Sequence, residues 1–285
     1  MMRLFISSES LAKNFKIIKF SFLLLVLAFL TSTEKSQAKR PYYPGDWISY
    51  TNLRYVTSIA QDFKYLYFGS TGGVLRYNKF TQQFEEPWTE SDGLLNNRVS
   101  RIAYDQKYDQ IWFLTNRGTC YYQPTFQEWY YGGTFPESLV QREQKNLDIP
   151  PFFMEFGYTF FREGGYIQDY LLKKYPIRQY FKDDWDNLWV LSSGLGVAVG
   201  NIRSLQLRLL RYGLYDSNVK TIFFDKDKNE IWLAGTGGFS ASQGITRYNL
   251  NYNSWEYYEA FYTQSLTSDE VNIIQGDSQF IWLGT

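Results

Sequence analysis

The sequence contains no histidine. A Ser-His-Asp or Cys-His nucleophile system, a histidine metal site and a phosphoacceptor histidine are therefore excluded within its 285 residues. There is one cysteine, Cys120, so no disulfide can close within the chain. It falls in a strand-like stretch and reads as a buried, inert thiol rather than a nucleophile. None of the Gly-Gly pairs opens a helix with a following Lys-Ser/Thr, which excludes a phosphate-binding loop of that type. The carboxylate pairs have no EF-hand spacing. No cofactor and no metal are expected. Lys+Arg and Asp+Glu are 29 each, leaving no basic surplus to neutralise the phosphates of a nucleic acid.

What is present divides at about residue 38. Lys13, Lys16 and Lys19 lead into Phe20–Leu30, an apolar stretch of eleven residues, and polar residues then run to Ser36-Gln37-Ala38. A basic segment, an apolar segment and a small-x-small site together read as a secretory signal over residues 1–38. As a helix the apolar stretch spans about 16 Å, short of a hydrocarbon core of about 30 Å. Export to the periplasm or beyond the cell is expected, with cleavage near Ala38 and residues 39–44 as a linker. Removing the five basic and two acidic residues of this segment leaves 24 basic against 27 acidic. Membrane attachment is expected only through the export signal or a downstream anchor.

The remainder repeats itself. Units open at Val56, Val99, Ile177, Val219 and Val271, at intervals of 43, 78, 42 and 52 residues. Tyr67, Trp112, Trp189, Trp232 and Trp282 mark the same place in each second strand. Val219–Tyr248 shows the plan: a strand, an acidic turn at Asp225, a tryptophan strand, a glycine-rich loop and a further strand, with an outer strand at Ser254–Tyr258. Four short antiparallel strands per 40–50 residues describe a blade of a β-propeller. A single blade has two apolar faces and covers neither, so blades must stack, with the tryptophan packing between neighbours. Blades are expected at about 56–98, 99–133, 177–218 and 219–270, with a partial one at 271–285. The sequence stops inside that last unit, which reads as a fragment of a longer protein. Gly45–Asn52 resembles a last strand that closes the ring. Residues 134–176 are either a degenerate blade or an insertion covering one face of the ring, and Ile167–Lys174 could hold two helical turns.

Val219, Ile222, Asp225, Ile231, Trp232, Gly244, Ile245, Tyr248 and Trp255, with Gly93-Leu94 and Gly213-Leu214 as connecting loops, resemble the two-component regulator propeller repeat. The resemblance covers about Asp46–Thr285 apart from Gly132–Pro176. It implies an exported bacterial β-propeller, commonly seven-bladed, which in hybrid two-component systems senses glycan fragments outside the cell. Other members stand as separate envelope proteins.

Binding, rather than catalysis, is the expected activity. The loops joining second to third strands, and fourth strands to the next blade, usually surround a propeller's central funnel. Here they carry Asn97, Arg98, Asn116, Arg117, Ser192, Ser193, Asp216, Asn218 and Thr236, polar groups beside aromatics that suit a sugar or a peptide. The expected partner is a glycan fragment or an envelope protein. Two other readings remain open: a structural or assembly protein of the cell envelope, and a glycan-processing enzyme.

Overall fold

A computed structural model describes residues 48–141, 147–154, 157–215, 218–235, 244–277 and 279–285. The segments expected to be an export signal and a linker, with Asp216 and Thr236, lie outside the described residues. The described part is all-β and propeller-like. β1 (Val56–Gln61), β2 (Tyr65–Ser70), β3 (Gly73–Asn78) and β4 (Gln83–Trp88) form a first antiparallel blade in chain order. β5 (Val99–Asp105), β6 (Gln110–Thr115), β7 (Gly118–Gln123) and β8 (Glu128–Tyr131) form a second. A third comprises β12 (Lys174–Lys182), β13 (Asn187–Ser192), β14 (Gly196–Asn201) and β15 (Gln206–Leu210). The fourth comprises β16 (Val219–Asp225), β17 (Glu230–Gly235), β18 (Ile245–Asn249) and β19 (Ser254–Tyr258). β20 (Ile273–Gly276) and β21 (Ile281–Gly284) pair as a hairpin.

The opening Val-x-x-Ile of a unit would put its two apolar residues on opposite faces of a plain strand. In each of the four blades a bulge falls after the opening residue of the unit, at Val56/Ser58, Val99/Arg101, Ile177/Gln179 and Val219/Thr221. The extra residue restores the phase. Val56 and Ile59 therefore share one core, and Val99 and Ile102 another. After the second strand the chain reverses at glycine. Gly73 has φ 134°, and a Cβ there would stand 2.6 Å from the Trp88 carbonyl oxygen, so only glycine fits.

Blades stack by a consistent rule. The face of the first blade bearing Tyr67 packs on the Ile111–Phe113–Cys120 face of the second. Its opposite face, with Leu66 and Phe68, packs on the Trp189 face of the third. The Trp232 face of the fourth packs on Ile274 and Ile281 of the hairpin. In each case the face carrying the marker aromatic meets the other face of its neighbour. The first blade thus lies between the third and the second.

The second face of the third blade is covered from within residues 134–176. β9 (Phe153–Met154) runs parallel to β15, while β10 (Tyr158–Phe161) and β11 (Tyr166–Asp169) extend the sheet beyond β12. The ends of this seven-stranded sheet, β10 and β9, lie side by side, so it is nearly closed. Phe152, Tyr158, Ile167 and Tyr175 fill its interior against Leu188 and Val190. The two helical turns that Ile167–Lys174 could hold are not formed. Ile167 and Tyr175 are cross-strand partners, both buried, and this alternation is satisfied only by strand pairing across a turn. Ile48–Asn52, the described part of the stretch expected to close the ring, forms no strand. Tyr50 instead packs on Tyr248 and Trp255, and the Thr51 carbonyl accepts from Leu214 N–H. Cys120 lies in β7, fully buried, and burial pushes its thiol pKa up.

Candidate functional site

The turns joining first to second and third to fourth strands all emerge at one end of the sheets. At this end the first and third blades leave a groove of about 390 Å³ between them. Its walls carry Tyr77, Gln82, Trp185, Gln206 and Arg208. Strand alternation sends Leu207 and Leu209 inward from β15 and leaves Arg208 exposed. No described residue forms a hydrogen bond or ion pair with the Arg208 guanidinium. The other charged groups here are committed. Asp183 accepts the Trp185 and Asn187 N–H groups, each at 2.9 Å, and the Trp189 indole Nε1–H at 2.8 Å. Lys79 Nζ donates to the Asp62 carbonyl at 2.7 Å.

Three exposed aromatics belong to the same turns. Phe80 lies 5.4 Å from Phe63 and 5.5 Å from Trp185, ring centroid to ring centroid, and Phe63 is 83% exposed. The turns beneath them are tightly made. Asp62 Oδ1 accepts from Lys64 and Tyr65 N–H, and Asn78 Oδ1 accepts from Phe80 and Thr81 N–H. Trp185 thus stands on a bonded turn in the same groove as one unpaired cation and the amides of Gln82 and Gln206, and Phe80 and Phe63 continue its ring contacts outward.

A second region joins the third and fourth blades. Arg211 donates to Glu259 and to the Tyr158 hydroxyl, both at 3.1 Å. Arg54 donates to the Tyr215 carbonyl at 2.8 Å and lies over the Tyr215 ring. Burial pushes the Tyr158, Tyr215 and Tyr257 phenols up, so they stay protonated, and Tyr257 donates to the Gly213 carbonyl. These charges satisfy one another, and the region acts as a joint.

The funnel residues read from the sequence lie at the opposite end from the groove. Asn97, Arg98, Asn116 and Arg117 come together in the second blade. Asn97 exchanges hydrogen bonds with Glu90, whose N–H it accepts at 2.7 Å. Asn116 N–H donates to the Arg98 carbonyl, and Arg117 N–H donates to Thr115 Oγ1. Ser193 is elsewhere, bridged to Tyr55 and donating its N–H to Pro176. Ser192 ends β13, and Asn218 precedes β16. No hydrogen bond joins either serine to the second-blade group. Reading the sequence missed Phe63, Phe80, Trp185 and Arg208. The available signal was a large aromatic in each of the polar turns Asp62-Phe63-Lys64, Asn78-Lys79-Phe80 and Asp184-Trp185-Asp186, where turn chemistry calls for none.

No protein-family model matches the chain, and no curated protein does. Among solved structures it is similar to the extracellular domain assigned to hybrid two component system BT3049 from B. thetaiotaomicron. Identity there is 21% over 86% of this chain and 34% of that one, with a TM-score of 0.27. The extracellular domain assigned to one component system BT4673 of the same organism matches at 16% identity, over 86% of this chain and 27% of that one, with a TM-score of 0.24. PorZ, a surface component of the type-IX secretion system of Porphyromonas gingivalis, matches at 13% identity, over 81% and 37%, with a TM-score of 0.22. The chain spans about a third of the length of these structures.

Proposed function

We propose that this chain is a non-catalytic, exported propeller of the two-component regulator type, which binds a ligand in the groove between its first and third blades. The observation that carries the reading is the exposed, unpaired Arg208 in the groove whose wall also carries Trp185, itself packed edge-on against Phe80. An aromatic rim over a cation and amides suits a glycan fragment with an acidic group: the rings cover the sugar's apolar face, and the guanidinium takes the carboxylate or sulfate. The residues of the opposite end, Asn97, Arg98, Asn116, Arg117, Ser193 and Asn218, stand as a second, untried surface for the same test.

Calorimetric titration of the full chain with acidic oligosaccharides tests the reading. Arg208→Ala and Trp185→Ala are each expected to weaken binding about tenfold or more, while Asn97→Ala and Arg117→Ala leave it unchanged. Binding that survives both groove substitutions removes the site. Chain cleavage of the oligosaccharide during titration removes the non-catalytic reading. The exposed Phe63–Phe80–Trp185 cluster also suits a protein contact, which favours envelope assembly as the second reading. In that case the same substitutions abolish co-purification of a stable partner and leave no saccharide binding to lose.

A further inference from the structure

We infer that the turn joining β11 to β12, Tyr170–Lys173, is a docking tip for a lipid surface bearing anionic headgroups. Leu171 is 68% exposed and Leu172 75% exposed, adjacent at the apex of a hairpin. Leu172 also has φ 65°, a left-handed conformation that a branched side chain disfavours. Comparable turns in this molecule place Gln82, Asp109, Gln127, Asp186, Asn229 and Asn253 in that conformation. Leu205, the other leucine there, is accounted for by its carbonyl, which accepts from Phe153 N–H where β9 joins the sheet. The Leu172 carbonyl accepts only from a side chain, Gln168 Nε2, and joins no strand to the sheet.

The strained apex is held firmly. Asp169 Oδ1 accepts from Leu171 and Lys173 N–H, each at 2.9 Å, and Oδ2 accepts from the Tyr175 hydroxyl at 2.9 Å. Leu172 N–H donates to the Asp169 carbonyl, and Gln168 Nε2 donates to the Leu172 carbonyl. A turn so fully bonded presents its leucines outward by construction. Strain maintained by its surroundings points to a use for the strained side chain.

Polarity around the tip changes in the order of a membrane interface. The two leucines stand at the apex. Beside them Tyr170 stacks on Phe261 at 4.1 Å and meets Tyr262 edge-on at 5.6 Å, and both partners are themselves substantially exposed. Following the apex, Lys173 lies 5.2 Å from the Tyr175 ring and Lys174 lies 4.6 Å from the Tyr166 ring. Aliphatic groups for the acyl region, amphipathic rings for the boundary and ammonium groups for the phosphates follow one another. The apex carries no polar group that would select a particular protein pocket, and this gradation favours lipid over a protein partner.

The test is partition of the full chain onto phosphatidylcholine vesicles with and without phosphatidylglycerol. Phe20–Leu30 is common to every variant, so the difference between variants is the reading. Leu171→Ser/Leu172→Ser is expected to lower partition about tenfold or more. Lys173→Gln/Lys174→Gln is expected to lower it several-fold, about fivefold per lysine at most, and only where phosphatidylglycerol is present. Leu172→Gly separates docking from folding: glycine accepts the left-handed conformation, so its melting temperature rises while its partition falls. A dye on Leu172→Cys is expected to shift to the blue on vesicle addition, with buried Cys120 left unlabelled. Equal partition of the leucine variants, or no blue shift at position 172, overturns the inference. A blue shift produced by an envelope protein in the absence of vesicles also overturns it, in favour of protein docking.

Discussion

The third and fourth blades carry the same motif and settle it differently. In the third, Asp183 and Trp189 are six positions apart. Asp183 caps its turn with Oδ1 and takes the Trp189 indole N–H on Oδ2, a clasp buried between two blades. Asp62 with the Tyr67 hydroxyl and Asp277 with the Trp282 indole, five positions apart, are built alike. In the fourth blade the interval from Asp225 to Trp232 is seven. Asp225 still caps its turn, through Asp227 and Lys228 N–H, yet its second oxygen faces Lys228 Nζ at 3.3 Å. Trp232 Nε1 is buried with no partner among the described residues.

The second blade, also at seven, shows another way out. There Trp112 Nε1 donates to Gln110 Oε1 at 3.2 Å, and Trp112, Tyr121 and Tyr130 stack across three strands. The fourth blade has Glu230, Arg247 and Glu256 at the positions of Gln110, Tyr121 and Tyr130. Arg247 draws Glu230 into an ion pair and lies over the Trp232 ring, so the glutamate is not left to the indole. Turn length decides whether the clasp can close, and the neighbouring strand decides what replaces it.

Breaking the clasp should have the largest effect. Asp183→Ala strips acceptors from the buried Trp189 indole and from Asn187, and should cost about 3 kcal/mol. At this size that lowers the melting temperature by roughly 10 °C. Asp225→Ala removes a turn cap and an ion pair with the half-exposed Lys228, and should cost about 1 kcal/mol. Thermal unfolding followed by tryptophan fluorescence separates them, and equal losses would show that the clasp adds nothing to the cap.

Acid should act on the fourth blade by a smaller amount. The Arg247 hydrogen bond holds the Glu230 carboxyl below its usual range, and the Lys228 N–H does so for Asp225. A carboxyl whose pKa is lower in the folded state contributes stability above its unfolded value, about 4. That contribution is lost as pH falls through the folded value. Stability should therefore hold from neutral pH down to about 5 and decline below about 4. Glu230→Gln should flatten the decline. Denaturant midpoints measured across that range would show it, and an unchanged slope in Glu230→Gln would remove Glu230 from the account.

Much of the scaffold could be read from the chain. The turn aspartates and marker aromatics fell where the sheets put them, because turn capping and strand burial are local demands. Even the interval from aspartate to aromatic, which governs the clasp, is plain in the sequence. The spatial order of blades was not, since the apolar faces of different units are chemically alike and only the strands of residues 134–176, by occupying one face, decide which neighbour the third blade takes. Ile167 to Lys174 misled for a related reason. Its apolar residues fit a helix as well as a strand until Tyr175 is paired across from Ile167. The groove was hidden because its walls, Tyr77 and Gln82 on one side and Trp185 and Arg208 on the other, are far apart in sequence and come together only through that same blade order.

The smallest effect should come from Trp232→Phe. Trp189→Phe deletes a made hydrogen bond, leaves Asp183 Oδ2 with Asn187 Nδ2 alone and opens a gap beside Phe68 and Tyr77, so about 2–3 kcal/mol should be lost. Trp232 is only partly buried and stacks on Tyr258 at 5.6 Å, a contact that phenylalanine largely keeps. The substitution also removes a buried donor with no partner, whose desolvation already counts against the folded state. These contributions oppose each other, and Trp232→Phe should fall within about 1 kcal/mol of the parent on either side. Should it instead match Trp189→Phe, the orphaned indole must have an acceptor after all, and the distinction between clasped and unclasped blades would reduce to burial.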